Sequence, residues 1–362
     1  MLKRLIPIVL MAAVIVAVQL LATALEKEYC LTQLTMAIYY SMVVMGLCLV
    51  MGYAGQVSLG HGAFFAIGGY TSAILTTRSF LSLQDTWWAG ILKRLHVFVL
   101  REDMFGSPIM TVSPWAAFLA AMIVTFIAAF LIGYPALRLK GHYLAMATLG
   151  FAMIVHKIVL GSAFAGAADG ITGVPEWTLG AGLVITGKSV ARVQNYYLAS
   201  GIALVILILL GNLVRSRVGR ALQAIHDQET AANAMGINTS AYKLQVFIVS
   251  ALIAAIAGVL LTHYTGGIGP SESSILKSVR YVALAAAGGM ANLWSASLIS
   301  TLINYLSLRD WFGTFDNAVF GALLIIIISI APDGPFKPLG LWIRRWSSLA
   351  RVRTGEKNHE TP

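Results

Sequence analysis

The chain has 362 residues, 58% of them hydrophobic and only 11% charged, with a formal net charge of +10. Soluble domains carry about a quarter charged residues, so this composition excludes a soluble globular protein and indicates a polytopic membrane protein. The apolar runs lack the alternation of a membrane β-barrel, and Cys30 and Cys48 lie too far apart along one helical run to bridge each other.

A helix crossing the hydrocarbon needs roughly 20 apolar residues. The sequence offers about ten such runs, at 5–25, 30–51, 57–77, 114–134, 142–160, 196–214, 242–264, 278–291, 294–308 and 315–331. The expected fold is therefore an all-α polytopic membrane protein with about ten transmembrane helices, some short or glycine-broken. The first run follows Lys3-Arg4 and exceeds a signal-peptide core. Glu26-Lys27-Glu28 stands where a cleavage site would be, so it reads as a retained span.

Between the second and third runs lies Gly52-Tyr53-Ala54-Gly55-Gln56-Val57-Ser58-Leu59-Gly60-His61-Gly62. Its glycines and polar side chains break the helix, and such backbone is tolerated at membrane depth only where protein or water satisfies it. Interrupted segments often line transporter sites, which makes Gln56, Ser58 and His61 candidates for a translocation path. The alternative is that the glycines allow close helix packing and His61 bonds a neighbouring helix. A second glycine-rich break, Tyr264-Thr265-Gly266-Gly267-Ile268-Gly269-Pro270, precedes the eighth run.

The segment 78–113 is expected outside. Within it, Trp87-Trp88 through Lys93-Arg94 to Leu100 reads as an amphipathic helix at the headgroup level, with contact to a soluble partner as the alternative. Segment 161–195, also external, is a turn-rich folded loop around Asp169-Gly170 and Pro175. It contains Gly182-Leu-Val-Ile-Thr-Gly187-Lys188-Ser189, which satisfies the phosphate-loop pattern letter for letter. That chemistry requires a buried strand and a following helix in an ATP-sized domain, so the match is read as fortuitous. The chain asks for no metal and no cofactor.

The polar stretch from Arg215 to Lys243 interrupts the apolar chain. Asp227 suits a helix N-cap, Glu229 sits favourably in the first turn, and Gly236 suits the left-handed position that ends a helix. Ala231, Ala232 and Ala234 allow another surface to approach a short helix over about 228–235. This reads as a socket for a soluble partner, with a membrane-resting connector as the alternative. Lys3, Arg4, Arg138, Lys140, Arg215, Arg217, Arg220, Lys243 and the basic residues of the tail fall on one side, which places both termini and this loop in the cytoplasm. The charge is a topology signal rather than a nucleic-acid footprint. Span centres hold almost no Asp, Glu, Lys or Arg, which argues against ion-coupled pumping.

Four motifs in order carry a resemblance: 52–65, Pro135-Ala-Leu-Arg138-Leu-Lys140 with Thr148-Leu-Gly150-Phe151, Asp169 to Pro175, and Gly219-Arg220 through Gly236-Ile-Asn238. Over roughly 40–335 the chain resembles the longer permease subunit of branched-chain amino acid ABC importers. The resemblance implies that Glu229, Ala231, Ala232 and Gly236 belong to the loop that docks into an ATPase, and Arg220 and Asp227 are read with them as part of a cytoplasmic coupling helix. It implies as partners a second permease, two ATP-binding subunits and a periplasmic substrate-binding protein, in the bacterial inner membrane and without enzymatic activity of its own. Residues 1–336 would form the permease domain and 337–362 a basic cytoplasmic tail lying on anionic lipid. A urea or short-amide permease of the same architecture and an ion-coupled secondary carrier are the alternatives.

Overall fold

The computed structural model describes residues 2–81, 97–102, 108–137, 139, 141–180 and 182–309, with scattered helical positions between 318 and 329. Side chains are described from residue 8 onward within these ranges, except at 102 and 108. Arg138, Lys140, most of the run 315–331 and the basic tail 337–362 lie outside the described residues.

The apolar runs become helices α1 (Leu2–Ala24), α2 (Tyr29–Cys48), α3 (His61–Thr77), α4 (Pro114–Ala136), α5 (His142–Gly161) and α6 (Arg192–Arg215). The polar loop forms α7 (Arg217–Asp227) and α8 (Glu229–Ala234), followed by α9 (Thr239–Thr265), α10 (Ile275–Gly288) and α11 (Leu293–Leu308). Among the described residues, five helical stretches are long and apolar enough to cross a bilayer: Tyr29–Tyr53, Pro114–Ala136, His142–Gly161, Ser189–Arg215 and Thr239–Thr265. Ile8–Ala24 and Leu293–Leu308 are shorter apolar helices. At 1.5 Å per residue α3 and α10 reach only about 25 and 21 Å, so neither helix by itself is long enough for about 30 Å of hydrocarbon.

Burial sorts the helices into layers. α2 is enclosed on nearly every side, with Leu31, Tyr39, Met42, Met45 and Leu47 fully buried. It lies between α11, α9 and α6, while α9 packs most extensively on α3 and α4. The α3–α9 contact is a small-residue crossing: a Cβ at Gly258 would lie 2.1 Å from the Phe65 carbonyl, and one at Gly68 2.5 Å from that of Ala255. Such approach gives dense packing where the apolar solvent supplies little force between helices. α4, α5 and α6 are peripheral and keep Leu119, Ile123, Ile127, Leu131, Ile154, Ile158 and Leu209 exposed. That is the face expected toward lipid tails.

Small β elements gather at one end of the bundle. β1 (Phe98–Glu102) and β2 (Pro108–Val112) form an antiparallel hairpin in the register Phe98↔Val112. The expected interfacial helix does not extend to Leu100. Residues 82–96 lie outside the described residues, and the run Phe98-Val99-Leu100 is a strand because aromatic and β-branched residues on both sides favour pairing. β3 (Ile171–Thr172) pairs with β6 (Gly267–Ile268), joining loop 161–195 to the second glycine break. β4 (Trp177–Gly180) pairs with β5 (Leu183–Ile185). The phosphate-loop letters thus fall on a surface hairpin, and the Lys188 ammonium is held 2.7 Å from Glu176.

Candidate translocation and coupling site

α2 does not end cleanly. Leu49–Tyr53 widens into a π turn, and the Gln56 N–H donates to Val50 O at 3.0 Å. Gly52 is required there, because a Cβ would lie 1.8 Å from the Met290 carbonyl in the α10–α11 turn. The chain then runs non-helically to Gly60. Its amides find local partners: Leu59 N–H donates to Thr148 Oγ1 at 3.0 Å, and Gly60 N–H reaches Ser58 Oγ at 3.4 Å. These bonds make non-helical backbone tolerable beside apolar helices.

His61 begins α3 fully enclosed. Its Nε2 lies 2.6 Å from Ser250 Oγ on α9, and its Nδ1 lies 3.2 Å from Ser58 Oγ. Phe64 and Phe247 meet the ring edge-on. Both ring nitrogens are engaged, as a neutral imidazole flanked by two rotatable hydroxyls allows. This geometry favours the packing alternative for His61, with a serine hydroxyl as the neighbour. Gln56 differs. It is 4% exposed, and neither Nε2 nor Oε1 has a hydrogen-bond partner among the described residues. Of the three path candidates, this one has capacity left for a ligand.

The break also meets the polar loop. Gly55, at φ +66°, packs closely against His226 of α7, where an added Cβ would lie 2.8 Å from Nδ1. Tyr53 Oη donates to Ala291 O at 2.6 Å. A cavity of about 300 Å³ opens there, lined by Gly52, Tyr53, Gln223, His226, Asp227 and Ala291. Three sequence-distant segments therefore meet at one mouth. His226 was not among the sequence candidates, and only its contact with Gly55 identifies it.

Asp227 is the last residue of α7 rather than an N-cap, and Gln228 occupies the N-cap of α8 without a side-chain hydrogen bond. The correction has a local cause. A separate helix, α7, capped by Ser216 accepting from Val218 N–H at 3.1 Å, runs on to Asp227, so the cap of α8 moves one residue to Gln228. Glu229 does stand in the first turn of α8. Its carboxylate faces inward, 2.7 Å from Lys243 Nζ, and accepts from Thr239 Oγ1 at 3.4 Å. Gly236 has φ +80°, the left-handed conformation expected past a helix end. Ala232 is buried against the bundle, whereas Thr230, Ala231, Asn233 and Ala234 are exposed. Met235, 83% exposed at the tip, is a further residue that no sequence pattern singles out. Arg220 is exposed on α7.

At the opposite end, His263 joins three segments. Its Nε2 lies 2.8 Å from Ser72 Oγ and its Nδ1 2.8 Å from Pro175 O, with Trp177 against the ring. The Glu176 carboxyl in that loop is held below its ordinary pKa by the hydrogen bond from Lys188.

Comparison with known proteins decides the family. The profile described as "Branched-chain amino acid transport system / permease component" matches residues 29–328. The chain belongs to this permease family. It is 28% identical to the high-affinity branched-chain amino acid transport system permease protein LivM of Salmonella typhimurium, over 83% of this chain and 68% of that protein. LivM of Escherichia coli matches equally, and the corresponding LivH of Escherichia coli is 23% identical over 83% of this permease and 92% of its own length. The stronger likeness is thus to LivM, the longer of these two types of permease. No solved structure matches this permease.

Proposed function

We propose that this chain is the transmembrane subunit of an ATP-driven importer for branched-chain or related neutral amino acids. It works beside a second permease and is powered by two separate ATP-binding subunits, with a periplasmic protein delivering substrate. The names of its relatives carry the substrate class. The observation that carries the coupling is the exposed α8 tip, whose root in α7 rests on the helix break through His226 and Gly55.

In this reading about ten spans cross the inner membrane, with both termini and the loop 215–243 in the cytoplasm. Residues 1–336 make the permease, and the basic tail 337–362 lies on anionic lipid. Arg220, Asp227, Ala231 and Met235 present the docking surface, while Glu229, Ala232 and Gly236 hold α8 in its pose. Closure of the ATPase pair displaces α7 and α8, and His226 passes that displacement to Gly55 and the 54–60 segment. Gln56 borders the path, and Ser58 and His61 fix the segment that carries it. The relatives are transport permeases rather than enzymes, and the proposed cycle asks for no cofactor or metal on this chain.

Reconstitution of the five-protein assembly in proteoliposomes tests the reading. ATP-dependent uptake of leucine is expected, with none when the ATPase subunits are left out. Uptake driven by an ion gradient without them would overturn it in favour of a secondary carrier. ATP-dependent uptake of urea in place of leucine would reassign the substrate.

A further inference from the structure

The bundle holds a second polar site that none of the family motifs touches. Glu272 lies in the short 3-10 turn Pro270–Ser273 ahead of α10, and Lys277 stands in the first turn of α10. Lys277 Nζ is hydrogen-bonded to Glu272 Oε1 and donates to Tyr40 Oη on α2 at 3.1 Å. Tyr40 Oη donates in turn to Glu272 Oε1 at 3.0 Å, and the ammonium sits 4.6 Å above the Tyr40 ring centroid. Beside this triangle a cleft of about 60 Å³ is lined by Tyr40, Lys277, Arg280, Tyr281, Asn304 and Ser307.

A self-contained ion pair would leave little unfinished, yet this one is surrounded by unfinished groups. Glu272 Oε2, Tyr281 Oη and Asn304 Nδ2 are all buried without a hydrogen-bond partner among the described residues. Tyr281 is 2% and Asn304 6% exposed, so water outside the bundle does not satisfy them. Buried polar groups left in this state cost stability and call for an explanation. Ionisable groups among membrane helices mark ligand or ion pathways more often than scaffolding.

The donor set specifies the ligand. Tyr281, Asn304 and Lys277 offer O–H and N–H groups to a carboxylate. The aromatic faces of Tyr40 and Tyr281, with the Glu272 carboxylate held just behind Tyr40 and Lys277, suit an ammonium. A simple anion would meet the Glu272 charge, and a simple cation would meet Lys277 and Arg280. We infer that the cleft between α2, α10 and α11 recognises the charged head of a zwitterionic amino acid. At about 60 Å³ the cleft is small: it admits the head and leaves the aliphatic side chain outside it. The site lies in the half of the bundle away from α7 and α8, since Glu272 follows the end of α9 and Asn304 is near the end of α11. It therefore stands on the entry side of the path, ahead of Gln56. This inference rests on the amino acid reading above.

Tyr281→Phe and Asn304→Leu test it, because each removes an unpartnered polar group and keeps most of the volume. A merely structural role predicts unchanged or raised thermal stability and unchanged uptake. Recognition predicts that leucine uptake by the complete reconstituted importer falls about ten-fold, as loss of a hydrogen bond to a charged ligand group would give. Subunit assembly and the ATPase rate stimulated by the binding protein should persist. Thermal shift of the importer without its binding protein supplies a direct readout. Millimolar leucine should raise the melting temperature, isoamylamine and isovalerate should not, and Tyr281→Phe should abolish the leucine effect. Equal uptake by wild type and variants overturns the site while leaving the amino acid reading intact. Loss of uptake together with loss of the second permease from the purified assembly also overturns it, in favour of a subunit interface. A wild-type importer that hydrolyses ATP without moving leucine fails the amino acid reading itself.

Discussion

Gln56 and His61 stand five residues apart and have opposite hydrogen-bonding states. Both nitrogens of His61 are engaged by serines, so its removal would mainly loosen the tie between α3 and α9. Gln56 keeps a buried amide with no partner among the described residues. Gln56→Leu should therefore raise stability by about 1 kcal/mol, since an unsatisfied buried amide is replaced by an apolar group of similar size. The same variant should lower leucine uptake several-fold if the amide contacts substrate in passage. Thermal denaturation in detergent and proteoliposome uptake check the two halves separately, and a variant that is more stable and equally active would remove Gln56 from the path. Both residues were legible in the sequence as polar letters in a glycine-rich break. Which of them retained free capacity was not, because Ser250 lies 189 positions away from His61.

The element scale is governed by how closely backbones approach. α3 and α9 cross where Gly258 meets the Phe65 carbonyl, so Gly258→Ala forces backbone rather than a flexible side chain to move. A cost of about 2–3 kcal/mol is expected, seen as a lower melting temperature and a smaller yield of folded protein. Gly211, in the peripheral helix α6, offers the contrast. Nothing lies within 4 Å of a Cβ built there, and Gly211→Ala should stabilise by about 0.5–1 kcal/mol through helix propensity alone. If the two substitutions behaved alike, close approach would not be what holds α3 to α9. The long apolar runs announced α2, α4, α5, α6 and α9 within a few residues of their observed ends. The sequence erred where local pattern was weak: it continued a helix through Phe98–Leu100, where cross-strand partners ten or more residues away made a hairpin. It also set Asp227 as a helix cap, one residue ahead of the observed Gln228, because a preceding helix takes Asp227 into its last turn.

On the scale of the whole molecule, polar connections gather at the two ends of the bundle. At one end the 52–60 break, the α10–α11 turn and the α7–α8 loop share a cavity. At the other, β3 pairs with β6, and His263 holds Pro175 and Ser72 together. A displacement at α8 has a short route into the first of these groups. Its rigidity rests partly on Glu229, whose partner Lys243 keeps only 12% side-chain exposure. Glu229→Gln leaves that ammonium without its carboxylate, so α8 should lose its fixed orientation. Membrane insertion should be normal and ATP hydrolysis should continue, with several-fold fewer leucine molecules moved per ATP. A matched assay of phosphate release and uptake measures that ratio, and an unchanged ratio would remove Glu229 from the coupling path.

The sequence by itself determined the membrane class, most helix boundaries and the polar loop, because hydrophobic length, glycine punctuation and capping letters act over a turn or two of chain. It also carried the family, through four motifs in order. Only the tertiary structure decided that His61 is engaged while Gln56 is not, that Glu229 turns inward, and that His226 rests on Gly55. The Glu272–Lys277–Tyr40 triangle likewise exists only after α2 and α10 have packed, since Tyr40 stands more than 230 residues from the other two. Hydrogen bonding in a low-dielectric interior depends on which helices are neighbours, and that choice is made by close packing of small residues along whole helices rather than by any local stretch of sequence.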